Sequence, residues 1–212
     1  MTTHPLWRPY APTANDARQA HRVGRRQVPP GPLQPHQERW ALDYAELEAL
    51  IASALGERLL SIHHVGSTAV PGLVAKPVID LDLTVAGVED EDSYLPHLER
   101  VGFTLIFRDS VGRDAHRQLT YAAPNANLHV FSPGAIEPQR HQLFLGWLVD
   151  HPDDRQRYAA AKLAAAGAGS GRRYNDLKSA VVYDIYERAF LADPAHDHDP
   201  QPRQSPGPQG TL

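Results

Sequence analysis

Proline placement constrains this chain more than any other feature of its sequence. Seven of the 19 prolines fall in residues 1–35, five in residues 194–208 and seven in the long stretch between. Proline fixes φ and removes a backbone donor, so dense proline excludes both regular helix and central strand. A packed domain is therefore expected over residues 36–192. Residues 1–35 are expected to form a loose Pro/Arg-rich extension, and residues 193–212 a second loose segment. Charge divides the same way. Residues 1–35 carry five Arg against one acid, whereas residues 36–192 carry 15 basic and 21 acidic residues. An acidic centre argues against a protein that grips duplex nucleic acid by bulk electrostatics.

Several classes drop out on composition. The longest apolar runs fall far short of the about 20 residues that a membrane span needs. No apolar segment follows Met1 as a secretory leader requires. The chain has no Cys, which excludes disulfides, thiolate metal sites and Cys nucleophiles. Arg outnumbers Lys 18 to 3, a coding bias expected of a GC-rich bacterium, and the cytoplasm is the expected location.

Hydrophobic spacing predicts a helix over 36–56, where Trp40, Tyr44, Leu47, Ile51 and Leu55 recur at steps of three and four before Gly56. Strands are predicted at 59–65, 78–85, 103–108, 116–122 and 127–132, with a helix over 89–101. From residue 137 onward the pattern turns helical, at 139–150, 153–166 and 174–191, with a glycine-rich linker at 167–171. The expected class is α+β, a mixed α/β domain whose C-terminal third is helical.

The stretch His63-His64-Val65-Gly66-Ser67-Thr68, followed after a loop by Val78-Ile79-Asp80-Leu81-Asp82-Leu83, carries the chemistry. Residues two apart in a strand share a face, about 6–7 Å apart. Asp80 and Asp82 would stand side by side while Ile79, Leu81 and Leu83 enter a core. Two adjacent carboxylates repel, and a divalent cation is their natural partner; Mg²⁺ is commonly held by one or two carboxylates plus substrate phosphates. Gly66 at a strand end lets backbone N–H groups approach a phosphate, and Ser67 adds a donor. The bland alternative places Asp80 and Asp82 on the solvated face of an edge strand and leaves Gly66-Ser67 as a turn.

His64-Val65-Gly66-Ser67-Thr68-Ala69-Val70-Pro71-Gly72-Leu73, with Ala75-Lys76-Pro77-Val78-Ile79-Asp80, resembles the signature of the GrpB family. The resemblance continues through Asn127-Leu128-His129-Val130, Arg140-His141 and the helices bearing Tyr158, Lys162, Tyr174 and Lys178. It implies a core similar to the polymerase-β-like nucleotidyltransferases, with a mixed sheet. Gly66 and Ser67 would then cradle the triphosphate of an NTP, and Asp80 with Asp82 would hold one or two Mg²⁺ ions. The implied reaction is transfer of a nucleoside monophosphate to a small-molecule acceptor. Two departures stand out. Leu128-His129-Val130 occupies the slot where the superfamily carries a third carboxylate, which makes His129 a candidate base or an orienting residue. The two carboxylates beside it are expected to raise its pKa, and bound Mg²⁺ to favour its neutral form. Gln34-Pro35-His36-Gln37 stands where the family often has Asp-Pro-x-Trp.

Further candidates for nucleotide binding are His64 and Thr68 in the signature, Lys76 before Pro77, and Arg117 in a later strand. On the C-terminal helices, Tyr158/Lys162 and Tyr174/Lys178 are i,i+4 pairs, able to stack on a base and bind phosphate or to serve as core and rim. His63 and His64 face opposite ways, and the family resemblance selects His64 to look toward the carboxylates. His196 and His198 read as part of the loose tail. Besides the transferase, the residues allow a non-catalytic nucleotide- or partner-binding protein, and a His/Asp metal hydrolase built from His64, Asp80, Asp82 and His129.

Overall fold

The structure is a computed structural model that describes residues 4–7, 18–167 and 172–196. Helix α1 (Arg39–Leu55) buries Trp40, Leu47, Ile51 and Leu55, the stripe that the spacing predicts, and ends at Gly56 with φ 54°. Five strands follow: β1 (Ser61–Val65), β2 (Ile79–Thr84), β3 (Thr104–Val111), β4 (Asp114–Tyr121) and β5 (Ala126–Phe131). They form one mixed sheet in the order β1-β2-β5-β4-β3. β2 and β5 run parallel, and every other neighbouring pair is antiparallel. The fold is the mixed α/β architecture expected.

Strand alternation gives the sheet two chemically different faces. Ile79, Leu81 and Leu83 of β2, Leu119 of β4, and Ala126, Leu128 and Val130 of β5 pack against α1 and the short α2 (Leu95–Arg100). The other face presents Asp80 and Asp82, then Asn127 and His129, then His116 and Gln118, with Asp80 opposite Asn127, and Asp82, His129 and Gln118 in line across β2, β5 and β4. Over that polar face lie α3 (Ile136–Asp150) and, beside it, α4 (Pro152–Gly167) and α5 (Arg172–Leu191). These helices close a second apolar cluster with Val70, Leu73, Leu148, Tyr158 and Ile185. Among the described residues no helix is long and apolar enough to cross a membrane.

Three expectations need correction. The helix predicted over 89–101 is confined to α2, because Pro96 sits in its first turn and Glu91–Ser93 forms a separate 3-10 turn. α3 begins three residues earlier than predicted, where the Asp114 carboxylate accepts the Ile136 N–H at 2.7 Å. The N-terminal extension is not loose in its described part. Arg18 pairs with Asp109 at 2.7 Å, Arg26 donates to Asn125 and Asn127, and Gln34 bridges to Ala75. Trp7 packs with Tyr186 and Phe190, and Arg140 holds the carbonyls of Pro5, Leu6 and Trp7. These contacts are largely polar, which is why a count of apolar residues missed them. His196 likewise stacks on Phe190, its ring 4.5 Å away, whereas His198 and most of the 167–171 linker lie outside the described residues.

Candidate functional site

The β2 alternation sets Asp80 and Asp82 on the polar face in different surroundings. Gly66, just after β1, has φ 72°, and a Cβ there would stand 2.5 Å from Asp80 Oδ2. Only a residue without a side chain lets the β1 end lie against this carboxylate. Asn127 donates to Asp80 Oδ1 at 2.6 Å. Burial pushes the Asp80 carboxyl above its ordinary range, against the pull of Asn127, His141, Lys178 and Arg26. Asp82 is almost fully buried, at 2 % exposure. Its Oδ2 accepts from His141 Nδ1 at 2.7 Å, while its Oδ1 is buried with no hydrogen-bond partner. Burial opposes protonation of His141, but the Asp82 hydrogen bond and the charges of Asp82, Glu137 and Asp80 outweigh it and raise its pKa.

All three lysines of the chain cluster together, and two of them, Lys162 and Lys178, lie close enough to Asp80 to feel its charge. Lys76 Nζ lies 4.3 Å from the Tyr174 ring centre, and Lys178 Nζ lies 5.1 Å from it. Lys162 is 3 % exposed, donates to the Val74 carbonyl at 2.7 Å and sits 4.9 Å from the Tyr158 ring. Burial and the positive charges of Lys178 and Lys76 push Lys162 down to about 7, although Asp80 pulls the other way. A concentration of cations around a carboxylate face is an anion site waiting for more negative charge than Asp80 alone supplies. Tyr158 and Tyr174 are both buried, serving as platforms for the ammonium groups.

Three nucleotide-binding candidates, His64, Thr68 and Arg117, are engaged elsewhere. His64 pairs with Leu81 across the β1–β2 ladder and therefore shares the apolar face; its neighbour His63 is the one in register with Asp82. The His64 ring stacks on Tyr44 at 4.8 Å, and its Nε2 meets the Thr68 hydroxyl at 3.0 Å. Thr68 is buried and donates to the Val78 carbonyl, so the two residues brace the loop behind Gly66. Arg117 is in register with Val130 on the wrong face, and its guanidinium is held by Glu91 at 2.6 Å. Ser67 is half-buried directly after Gly66, at the start of a 3-10 turn.

His129 does face the site, in register with Asp82. Its nearest partner is another imidazole, however: His116 Nε2 lies 3.0 Å from His129 Nδ1. Burial above all depresses the His129 pKa well below its ordinary value, with the charges of His141 and Arg18 adding to it. The expectation that the two carboxylates would raise it is corrected. His129 and His141 border a cleft of about 710 Å³ that is also lined by Arg18, His21, Arg108, Asp109 and Glu137.

Sequence reading singled out neither Arg26, Asp109, His116 nor Glu137 here, and met His141 only within the family signature. The signals existed: 116 and 118 alternate like 127 and 129, and 137 and 141 are one helical turn apart.

Among the described residues no three His, Asp or Glu side chains gather in a metal-binding arrangement. Asp80 and Asp82 nevertheless suit a Mg²⁺ ion whose remaining ligands are water and phosphate, and the orphaned Asp82 Oδ1 is an oxygen free to accept one.

The chain is 39% identical over 174 residues to UPF0157 protein BH1888 of Halalkalibacterium halodurans, covering 77% of this chain and 89% of that one. It is 33% identical over 162 residues to UPF0157 protein SCO7215 of Streptomyces coelicolor, covering 76% and 84% respectively. Among solved structures it is similar to the conserved protein GrpB from Enterococcus faecalis, with a TM-score of 0.65 at 28% identity over 74% of this chain and 96% of that one. The family described as GrpB protein matches residues 32–188, from just before α1 to near the end of α5, and the chain belongs to the GrpB family.

Proposed function

We propose that this protein is a Mg²⁺-dependent nucleotidyltransferase that moves a nucleoside monophosphate from an NTP to a small acceptor. The observation that carries the reading is the meeting of the Asp80–Asp82 face with the lysine cluster. A carboxylate pair alone would repel a triphosphate, and a lysine cluster alone would not select a metal-bound one. Together they fit the two ends of a Mg·NTP complex.

In this reading Lys76, Lys162, Lys178 and Arg26 hold the phosphates, and Gly66 keeps the backbone close to them. Asp80 and Asp82 would hold Mg²⁺, which when bound neutralises phosphate charge. The acceptor enters the cleft beside His129 and His141. Its hydroxyl oxygen attacks the α-phosphorus, its proton passes to His129, the bond to the β-phosphate oxygen breaks, and pyrophosphate leaves. A cytoplasmic location, where NTP and Mg²⁺ are both abundant, goes with this chemistry.

One observation favours the alternative of a non-catalytic nucleotide binder: the superfamily's third acid is replaced by His129, which brings no negative charge. Calorimetric titration of each NTP with and without Mg²⁺, followed by assay of pyrophosphate release, separates the two. Binding that requires Mg²⁺ and falls about 10–100-fold in Asp80→Asn and Asp82→Asn is expected. Unchanged affinity in both variants overturns the two-carboxylate site. Binding without pyrophosphate release across a panel of hydroxyl and phosphate acceptors favours the binder.

A further inference from the structure

A second line of titratable groups crosses the polar face, leading away from the carboxylates. Asp109 of β3 is in register with His116 of β4, and His129 of β5 lies diagonally across from His116, its own register partner being Gln118. Asp109 Oδ1 lies 2.6 Å from His116 Nδ1, and His116 Nε2 lies 3.0 Å from His129 Nδ1. His116 is 0% exposed and Asp109 8%. Asp109 Oδ2 accepts from Arg18 Nε at 2.7 Å, and another Arg18 nitrogen donates to Gln118 Oε1 at 2.6 Å. The N-terminal segment thus reaches the far end of the line.

The hydrogen bond between the two rings holds one proton, and its owner decides the chemistry of His129. If neutral His116 gives its Nδ1 proton to Asp109, its Nε2 accepts, so His129 carries Nδ1–H and a bare Nε2. If His116 is an imidazolium, it donates to His129 Nδ1, and His129 instead carries Nε2–H. Arg18 and Asp109 already form a balanced pair. A cationic His116 beside them would bury a net positive charge with no further counter-ion among the described residues, which is costly in a water-poor interior. The remaining neighbours of this end of the cleft, His21, His141 and Arg108 against Glu89 and Glu137, add no carboxylate within hydrogen-bond reach of His116.

We propose that Arg18, Asp109 and His116 are positioning residues that hold His129 as the Nδ1–H tautomer, with its bare Nε2 presented to the cleft. This deepens the proposed transfer, since that nitrogen is the one able to take the acceptor's proton; the tautomer itself does not depend on the reaction. The logic is that of any base oriented by a hydrogen-bonded partner, here lengthened by one ring. Arg18 has a specific task in it. By supplying the positive charge, it spares either imidazole from doing so.

Long-range ¹H–¹⁵N correlation on the full chain with ¹⁵N-histidine reads both ring nitrogens, at about pH 7.5 and without nucleotide. Loss of one pattern in His129→Gln assigns it. The expected result is protonated Nδ1 and unprotonated Nε2 for His129, interchanged in Arg18→Gln as His116 becomes the cation facing Asp109. A wild-type His129 with Nε2–H overturns the proposal, and so does a tautomer unmoved by Arg18→Gln. Neither measurement needs a substitution at the fully buried His116. Failure of Mg·NTP binding with this tautomer present refutes the transfer and leaves the positioning line standing; intact binding with the other tautomer does the reverse.

Discussion

Lys162 shows most plainly what this site costs the residues that build it. Its ammonium is buried among other cations and held by one carbonyl, and its pKa falls to about 7. The unfolded chain keeps that proton up to the ordinary lysine value. Between about pH 7 and pH 10.5 the unfolded state therefore binds more protons, and stability rises with pH. Below about pH 7 the folded state must carry the charge, and the penalty is fully present. Lys162→Met is expected to stabilise the protein at pH 6 by roughly 1–2 kcal/mol and by less at pH 10, while weakening Mg·NTP binding. Urea unfolding at the two pH values, with a nucleotide titration, checks both halves. His64 obeys the same rule in the acid range. Burial pushes it down to about 4, so as pH falls from 6.5 toward 4 the unfolded chain gains a proton that the folded one refuses, and stability drops in that window. His64→Gln should remove about one proton of pH dependence from unfolding between those limits. At Gly66 the expectation is steric. Gly66→Ala combines φ 72° with a Cβ pressed against Asp80, and should cost about 1–3 kcal/mol along with nucleotide affinity, as read from the unfolding midpoint and titration. Ser67→Ala should cost far less.

At the level of elements, the reach of sequence reading can be seen strand by strand. In β2 the alternation of apolar residues and Asp lies within a single segment, and it placed both carboxylates on one face before any partner strand was known. The helix stripe from Trp40 to Leu55 was legible for the same reason. His64 and Arg117 failed because their facing is decided by register with other strands: His64 against Leu81, Arg117 against Val130. Nothing local to either residue records that pairing. Arg117 also found an acceptor in Glu91, which belongs to a 3-10 turn hidden inside a segment read as one helix. Arg117→Ala should therefore leave Mg·NTP affinity unchanged and cost about 1 kcal/mol of stability through the loss of a half-buried ion pair. A marked loss of nucleotide affinity in that variant would return Arg117 to the site.

Across the whole molecule, the N-terminal segment works as a polar strap. Residues 18–34 meet β3, β5 and the loop before β2, and residues 4–7 meet α3 and α5. Removing residues 1–35 is expected to lower the melting temperature by about 5 °C or more, and removing residues 1–17 by less, as followed by circular dichroism. An unchanged midpoint for the longer deletion would mean that these contacts add nothing to the fold. The meeting of the lysines has a different kind of consequence. A chain with 18 Arg and three Lys, all three at one cluster, has a single neighbourhood for amine chemistry on its side chains. Thioesters and other acyl donors selective for amines meet arginines everywhere else, and a guanidinium that stays protonated does not take the acyl group. Whatever such reagents do to this protein beyond its α-amino group, they do at the candidate site, so a bound phosphate chain would shield the molecule from them and each adduct would count one site lost.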